Sequence, residues 1–567
     1  MSTASEAVPT APNTTGENAA GAAGTPPRKP GILRSSLIYS GLTLISRFMG
    51  LARDLVITAR LGASLTPAAD AYNTMLAFPN LFRRIFAEGA FAAAFVPAYA
   101  RTLEKEGKAA ADKLASDALA TVAATTIILT VVFQLAMPWL MIGINPGYVS
   151  NPDKFKLAVT LTQVSMPYLP CMAIGALLSG VLNARGRFIV SGGFPILLNL
   201  VMLIAVWPQT DPIAGAKAAS WAVLIAGVLQ AGVLLWGARK AGANIRFAWP
   251  KLTPEIKTLI ALAIPGAISA SATQVNIFIS SMLASLQDGA RSWLAVADRL
   301  YQLPLGLVGV AIGVALLPKL SASIQANDHD DAQAATDQAI IFALALTLPA
   351  AAALMSMPFY LIDGLFTRGQ FTAEDARFTA QALFHYGWGV PAFVLIRVLG
   401  PAFFARQDTK SPMRFALISV AVNIGLGVAL FYTIGFQGIA AATAVAAWIN
   451  VGQMVFTLAQ RKHYTPSANA WSRIIRVFLA SAVMGLGLAA ASHWRLHLEG
   501  LLHGFHLGPL GAKEITVLTV SLLGGLSYPF LVLAFGGLKP SEIKAALKRS
   551  PKQPKPGQAD VPPPTTF

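Results

Sequence analysis

Charged side chains inside long apolar segments are the residues of this sequence that most need an explanation. The segment SLIYSGLTLISRFMGLARDLVITARL contains Arg47, Arg53 and Asp54, and the segment WLAVADRLYQLPLGLVGV contains Asp298 and Arg299. A charged side chain at the middle of a membrane helix costs at least about 2.5–3.5 kcal/mol on insertion scales. An ionisable residue that is retained at this cost is by default a functional candidate.

Arginine at such a place favours the binding of an anion. Its guanidinium pairs with phosphate through two parallel hydrogen bonds and stays charged at any physiological pH. One arginine–phosphate contact at about 4 Å contributes about 4 kcal/mol at an effective dielectric constant of about 20, so several arginines are needed to hold a charged headgroup in a membrane cavity. We therefore predict that Arg47, Arg53 and Arg299 line a net positive cavity, which suits a diphosphate better than an organic cation.

The central charges also have structural interpretations. Arg53 with Asp54 fits an ion pair that bridges helices, and Asp298 with Arg299 fits a pair at the rim of the membrane. Arg47 fits neither interpretation, because it lies a full helical turn or more from both ends of its segment.

Four further charges lie on the second apolar segment. Asp70 is near its start, and Arg83, Arg84 and Glu88 are near its end. Arg83 and Arg84 fit membrane anchors on the inner side, and Arg84 with Glu88 fits a surface pair one helical turn apart.

Composition assigns the whole chain to the membrane class. Of its 567 residues, 55% are hydrophobic and only 12% are charged, and the mean hydropathy is +0.58. A soluble globular domain has about 25% charged residues. The single cysteine, Cys171, excludes an intrachain disulfide and a cysteine-rich metal site.

The elements that must position these charges are fourteen predicted membrane helices, so the predicted fold is an all-α integral membrane protein. Because the count is even, both termini lie on one side. About 30 Lys and Arg fall on the side of the termini and about 10 on the other, which predicts that both termini are cytoplasmic. Most of the net charge of +17 is thereby explained by topology, and no nucleic-acid partner is predicted. The windows of about 20 apolar residues fall near 35–60, 68–88, 115–143, 157–182, 188–208, 214–237, 256–286, 293–317, 338–364, 378–404, 414–434, 437–460, 472–492 and 514–536.

Two stretches of the sequence, 78–100 and 303–322, read alike. Each opens with an apolar residue and a proline, is rich in Gly and Ala at its centre, and closes with two apolar residues and a proline. A weaker pair joins LNARGRF and Asn199 to FFARQDTKSP and Asn423. We predict two six-helix lobes related by an internal repeat, plus two appended helices; chance similarity between Ala-, Gly- and Leu-rich helices is the alternative. The predicted divisions are a disordered tail at 1–30, a first lobe at 31–245, a second lobe at 246–465, helices 13 and 14 at 466–540, and a basic, Pro-rich tail at 541–567.

Several of these segments together resemble one family. The chain resembles the MurJ (MviN) family, the lipid II flippases of bacterial cell-wall synthesis, within the multidrug/oligosaccharidyl-lipid/polysaccharide exporter superfamily. The resemblance covers about residues 35–540, and the RRIFAEGAF block is the most specific part of it. It rests on SRFMGLARD (Ser46–Asp54), AADAYN (Ala68–Asn73), FPNLFRRIFAEGAFAAAFVP (Phe78–Pro97), ADRLYQLPLGLVGVAIGVALLP (Ala297–Pro318) and RQDTKSP (Arg406–Pro412).

The resemblance implies a substrate, a mechanism and partners. The substrate is lipid II, an undecaprenyl-diphosphate-linked disaccharide peptide, which is moved from the cytoplasmic to the periplasmic leaflet by alternating access. Helices 13 and 14 form a groove for its lipid tail. The implied role is in peptidoglycan synthesis, cell-wall biogenesis and cell shape, with membrane lipids and other cell-wall synthesis proteins as partners, and it requires no cofactor.

The resemblance also assigns residues to roles. In the second lobe, Gln274, Asn276 and Asn423 are polar but supply no carboxylate, so the sequence identifies no coupling ion. The implied substrate-binding residues are Arg47, Arg53, Arg299, Asp70 and Ser46, and the implied gate and ion-pair residues are Arg83, Arg84, Glu88, Asp54 and Asp298.

Three other functions share some of these sequence features. A flippase for another polyprenyl-linked glycan would use the same cavity chemistry, whereas a multidrug antiporter of the superfamily would expose carboxylates to a cationic substrate. A membrane-embedded transferase would need clustered carboxylates for Mg²⁺. The nearest such cluster, Asp328–Asp331, reads as a solvated turn, so a transporter is predicted rather than an enzyme.

Overall fold

The computed structural model describes residues 32–86, 90–246, 248–326, 328–502 and 511–542, with side chains except at 32–40, 43, 82–86, 90–93, 263–273 and 306–319. These residues form α-helices and one 3-10 turn at Pro146–Ser150, and they contain no strand. The first lobe contains α1 (Ile32–Leu61), α2 (Ala68–Phe86), α3 (Ala90–Lys105), α4 (Lys108–Ile144), α5 (Pro152–Ser165), α6 (Tyr168–Ala184), α7 (Phe188–Val206) and α8 (Pro212–Lys240). The remainder contains α9 (Pro254–Ser285), α10 (Ala290–Gln325), α11 (His329–Ser356), α12 (Pro358–Phe366), α13 (Ala373–Phe404), α14 (Lys410–Ile434), α15 (Gln437–Gln460), α16 (Ala468–His493), α17 (Arg495–Leu501) and α18 (Ala512–Ala534).

The predicted membrane windows fall on these helices. Each window lies on one helix or on a consecutive pair, the pairs being α5 with α6 and α11 with α12. Among the described residues, ten spans are long and apolar enough to cross a membrane. The other four windows correspond to α1, α2, α9 and α10, which include the helices that carry the candidate charges. The predicted all-α membrane fold is confirmed.

Several helices begin at a polar residue followed by proline. The side-chain oxygens of Asn151, Asp211 and Thr253 accept hydrogen bonds from the backbone N–H three residues later, at 3.1, 2.7 and 3.4 Å. The following proline has no N–H to leave unpaired in the first turn. These caps fix where α5, α8 and α9 enter the bundle.

The acidic run Asp328–Asp331 begins another helix. The Asp328 carboxylate accepts a hydrogen bond from the backbone N–H of Asp331 at 2.9 Å and caps α11. Asp328, His329 and Asp330 are exposed. The run is therefore solvated, as predicted, but it caps and begins a helix and does not form a turn.

The two halves of the chain repeat the same packing order. In the first half α7 packs between α1 and α8, α8 packs on α6, and α6 packs on α4. In the second half α14 packs between α9 and α15, α15 packs on α13, and α13 packs on α11. This correspondence supports the predicted duplication, and the lobe boundaries stay a prediction.

Helices α16 and α18 pack on each other and on the second half of the chain. Their buried side chains, such as Val477 and Val517, form one core cluster with Ile341 of α11 and Tyr360 of α12. Gly485 permits close approach, because an added Cβ there would lie 3.2 Å from the Cβ of Ala352. These helices are thereby attached to the second lobe.

Candidate functional site

An aspartate shared by two arginines joins α1 to α10. Arg53 donates to Oδ1 of Asp54 from Nη2 at 2.7 Å and from Nε at 3.0 Å. Arg299 approaches the other oxygen, Oδ2, with Nε at 3.0 Å. The side chains of Arg53 and Asp54 are 8% and 15% exposed, whereas that of Arg299 is 47% exposed. Arg299 is therefore the member of this cluster that is open to a ligand.

Arg53 also forms a hydrogen bond with α7. Its Nη1 donates to Oδ1 of Asn199 at 2.9 Å, and Nδ2 of Asn199 donates to the backbone oxygen of Ser46 at 3.0 Å. Asn199 also fills the space beside Gly50, where an added Cβ would lie 3.7 Å from Nδ2. Each nitrogen of the Arg53 guanidinium thus has a protein partner, and Ser46 takes part through its backbone.

The second lobe contains a neutral counterpart of this arrangement. Nδ2 of Asn423 on α14 donates to Oδ1 of Asn276 on α9 at 2.8 Å. In both lobes an asparagine of the fifth span binds the first span, at Arg53 in one lobe and at Asn276 in the other. Among the described residues, no group of three or more His, Cys, Asp or Glu side chains is placed to hold a metal ion.

Arg47 lies on the face of α1 that points toward the second lobe. It is seven residues before Asp54, which places the two side chains within about 20° of each other around the helix. Leu51, between them on this face, packs against the core of the second lobe. Arg47 is exposed and forms no ion pair or hydrogen bond within the described part of the chain. Its guanidinium is therefore available in the space between the lobes.

Asp298 precedes Arg299 and is half-buried. Gln302, one turn further along α10, donates to Oδ2 of Asp298 from its amide nitrogen. The structure thus places Asp298 beside the cluster, in which Arg299 pairs with the Asp54 carboxylate.

Asp70 is in a different environment from the arginines. Oδ2 of its fully buried carboxylate accepts from Nζ of Lys154 at 2.6 Å and from the backbone N–H of Gly289 at 3.0 Å. Oδ1 accepts from the hydroxyl and the backbone N–H of Ser292 at 2.7 and 3.1 Å. Lys154 also pairs with Asp288 at 2.8 Å. We call these residues the Asp70 cluster; it ties α2 and α5 to the start of α10, where the helix dipole also favours an anion.

Further contacts between the lobes lie at the same end of the bundle. The hydroxyl of Ser64 in the first lobe donates to Oδ1 of Asp375 in the second lobe at 2.5 Å. Within the second lobe, Nε1 of Trp293 donates to the same oxygen at 2.9 Å and fixes its position. The backbone N–H of Gln370 donates to the backbone oxygen of Ala59 at 2.8 Å. We call this end, formed by residues 62–67, 145–151, 286–289 and 367–372, the closed end.

Glycine is required where two segments of the chain, one from each lobe, cross at the closed end. Gly62 and Gly369 have φ of +69° and +59°. Their added Cβ atoms would lie 2.6 Å from the backbone oxygen of Gln370 and 2.2 Å from that of Ala59. Any side chain at either position would separate the lobes.

Three of the predicted gate residues lie partly or wholly outside the described residues. Arg83 and Arg84 lie on α2, but their side chains are outside the described residues, and Glu88 is outside them altogether. Their role as a gate stays a prediction. Sequence reasoning also missed Lys154, Asp288, Ser292 and Asn199 as partners of the candidate charges.

A helical bundle of two similarly packed lobes, which contact each other at the closed end and hold an exposed cationic cluster, is typical of a membrane transporter. A family model described as "Lipid II flippase MurJ" matches residues 57–504. The chain therefore belongs to the lipid II flippase MurJ family, and it is a transporter rather than an enzyme.

Individual proteins agree with this assignment. The chain is 40% identical over 532 residues to a "Probable lipid II flippase MurJ" of Rhizobium tropici, covering 93% of this chain and 98% of that protein. It resembles a solved structure of "Lipid II flippase MurJ, inward closed conformation" with a TM-score of 0.70 at 22% identity, over 90% of this chain and 100% of that one. It also resembles an inward-facing multidrug resistance MATE family transporter of the MOP superfamily, with a TM-score of 0.60 at 15% identity over 75% of this chain and 99% of that one. The two structural likenesses show the shared fold.

Proposed function

We propose that this protein flips lipid II from the cytoplasmic to the periplasmic leaflet of a bacterial inner membrane by alternating access, and that Arg47, Arg53 and Arg299 bind its diphosphate. Membership of the MurJ family and the name of the relative from Rhizobium tropici support the substrate. Exporters of other polyprenyl-linked glycans bind substrates with the same diphosphate. The identity of the glycan is therefore decided by depleting the protein and identifying the lipid-linked glycan that accumulates.

The observation that carries this proposal is the charge balance of the cluster. Three arginines stand against two carboxylates, that of Asp54 within the cluster and that of Asp298 beside it, so the group carries a net charge of about +1 at neutral pH. A diphosphate compensates this charge, whereas a cationic drug would be repelled. Of the three, Arg47 and Arg299 are exposed and Arg53 is buried. The proposed order of events is that phosphate first contacts the exposed pair, while Arg53 and Asn199 hold Asp54 and α1 in place.

The position of the closed end supports the direction of transport. The Lys and Arg distribution assigns the closed end to the periplasm and both termini to the cytoplasm. Contact between the lobes at the periplasmic side blocks the release of substrate there. The Asp70 cluster and the Ser64–Asp375 contact are the interactions that must break for release.

The appended helices are proposed to hold the lipid tail. α16 and α18 expose large apolar side chains, including Phe478, Leu486, Leu522 and Phe530, each more than half exposed. Such side chains are stable against acyl chains and costly in water. A polyprenyl tail lying along these helices would leave the diphosphate within the space between the lobes.

The orientation is tested by reporter fusions. Fusions after residues near 105, 245, 325 and 465 are expected to report cytoplasm, and fusions near 150, 290, 370 and 500 are expected to report periplasm, because positive residues are retained on the cytoplasmic side. Paired alkaline phosphatase and green fluorescent protein fusions at each site measure this. A periplasmic signal near 245 with normal expression would contradict the orientation.

Depletion of the protein in its native bacterium tests the function. We expect lipid II to accumulate on the cytoplasmic leaflet, where an added periplasmic probe does not reach it, and cell shape to be lost. Restoring the wild-type chain should return lipid II to the outer leaflet. Accumulation of a different lipid-linked glycan, with lipid II distributed normally, would instead assign the protein to that glycan.

A further inference from the structure

A buried guanidinium without a carboxylate partner lies at the start of α10. Arg291 is 7% exposed, and its Nη1 donates to the side-chain oxygen of Asn145. Within the described residues Arg291 forms no ion pair. Taking an unpaired charge out of water costs several kcal/mol, and one neutral amide returns only part of this. The surroundings of Arg291 therefore need to supply a negative charge or solvent.

Arg291 lines a cavity of about 170 Å³ at the seam between the lobes. The cavity is bounded by Phe78 of α2, Ile144 at the end of α4, and Gln274 and Ser281 of α9. Its volume is far above the roughly 10–15 Å³ that a single water molecule requires. We call it the Arg291 cavity.

Two further polar groups line the Arg291 cavity without protein partners. Gln274 is 7% exposed, and neither its amide nor the hydroxyl of Ser281 forms a hydrogen bond within the part of the chain that the structure describes. Buried polar groups are normally satisfied. A guanidinium, an amide and a hydroxyl that border one cavity together provide N–H and O–H donors for a single anion.

We propose that the Arg291 cavity binds a small anion, either a free inorganic anion of halide type or the phosphate of an anionic lipid headgroup. This site is distinct from the Arg53–Asp54–Arg299 cluster, because Arg291 shares no partner with those residues. Its lining comes from α2 and α4 of the first lobe and from α9 and α10 of the second. A bound anion therefore adds an interaction across the seam and stabilises the closed end.

A melting experiment tests binding of a free anion. Purified full-length protein is compared in 10 and 300 mM sodium bromide, with sodium gluconate keeping the ionic strength constant. If the Kd is about 10 mM, the melting temperature of the wild type is expected to rise by about 1–2 °C. Arg291→Gln should abolish this rise, and Gln274→Leu should reduce it. Arg239→Gln, which removes an exposed charge at the end of α8, is the matched control and should keep it.

A lipid measurement distinguishes the two sources of the anion. Native mass spectrometry of protein released from nanodiscs of phosphatidylglycerol or phosphatidylcholine counts the retained lipids. Loss of one phosphatidylglycerol in Arg291→Gln, without a bromide effect, assigns the site to a headgroup; a bromide effect that Arg291→Gln abolishes assigns it to a free anion. If Arg291→Gln fails to accumulate, Gln274→Leu and Ser281→Val serve in its place. Variants that match Arg239→Gln in both measurements would overturn the proposal, and neither measurement depends on lipid II.

Discussion

Replacing Arg47 or Arg299 by alanine is expected to weaken lipid II binding by roughly 10- to 150-fold, with membrane abundance and melting temperature near those of the wild type. Each variant removes a charge-assisted contact with phosphate, which is worth about 1.5–3 kcal/mol. Both side chains are exposed, so neither removal leaves a buried cavity. Lysine at either position should also impair binding, because an ammonium cannot make the two parallel contacts of a guanidinium.

Arg53→Ala is expected to behave differently. All of its guanidinium nitrogens are bound to Asp54 or Asn199, so its removal leaves a poorly exposed carboxylate with Arg299 as its remaining cation. Breaking a buried ion pair on one side costs about 3–5 kcal/mol. We expect Arg53→Ala to lose both stability and binding, and Arg53→Ala with Asp54→Ala to recover stability without recovering binding.

The measurements are membrane abundance, melting temperature in detergent, and lipid II binding by native mass spectrometry. Arg239→Ala is the matched control, since it removes an exposed arginine far from the cluster in sequence and packing. Normal lipid II binding by all three single variants would refute the diphosphate site. Recovery of binding in the Arg53→Ala, Asp54→Ala double variant would make Arg53 a structural residue and leave Arg47 and Arg299 to bind the phosphate.

The residues of this cluster were predictable from sequence because membrane burial makes charge conspicuous. Arg47, Arg53 and Arg299 stand out in apolar segments, and the windows that contain them are helices in the structure. The sharing of Asp54 between two arginines was not predictable. Adjacent residues such as Arg53 and Asp54 point about 100° apart on a helix, and only the position of α10 decides which partner each one meets.

The partners of Asp70 were out of reach of sequence reasoning for a related reason. Lys154 is 84 residues from Asp70, and Ser292 is 222 residues away. Lys154 lies in the first turn of α5, just after the Asn151–Pro152 start, where a lysine normally indicates a solvated residue. No periodicity or local motif links the three, so their pairing depends on the arrangement of the two lobes.

The Asp70 cluster is expected to hold the two lobes together at the closed end. Lys154→Met is expected to destabilise the protein by about 3–5 kcal/mol and to open the closed end, because it leaves the Asp70 carboxylate buried without its cation. The lysine and aspartate side chains are 4% and 2% exposed, so water cannot readily replace the ion pair. Lys156→Met, two residues away and exposed, is the matched control and should have little effect.

The double variant Asp70→Asn, Lys154→Met separates stability from gating. An asparagine keeps an oxygen for Ser292 and removes the buried charge, so much of the lost stability should return. The ionic link between α2, α5 and α10 is still absent, so the closed end should remain weakened. The lobes then separate more readily at the end that the charge pattern assigns to the periplasm.

Spin labels measure this separation directly. Cysteines at Leu65 and Glu374, which are exposed on the two sides of the closed end, are introduced into a chain with Cys171 replaced by alanine. Double electron–electron resonance should show a longer distance component in Lys154→Met and in the double variant than in Lys156→Met. Equal distance distributions in all of these variants would show that the Asp70 cluster stabilises the fold without holding the lobes together. The contacts of Ser64, Asp375 and Trp293 would then be the ones that keep this end closed.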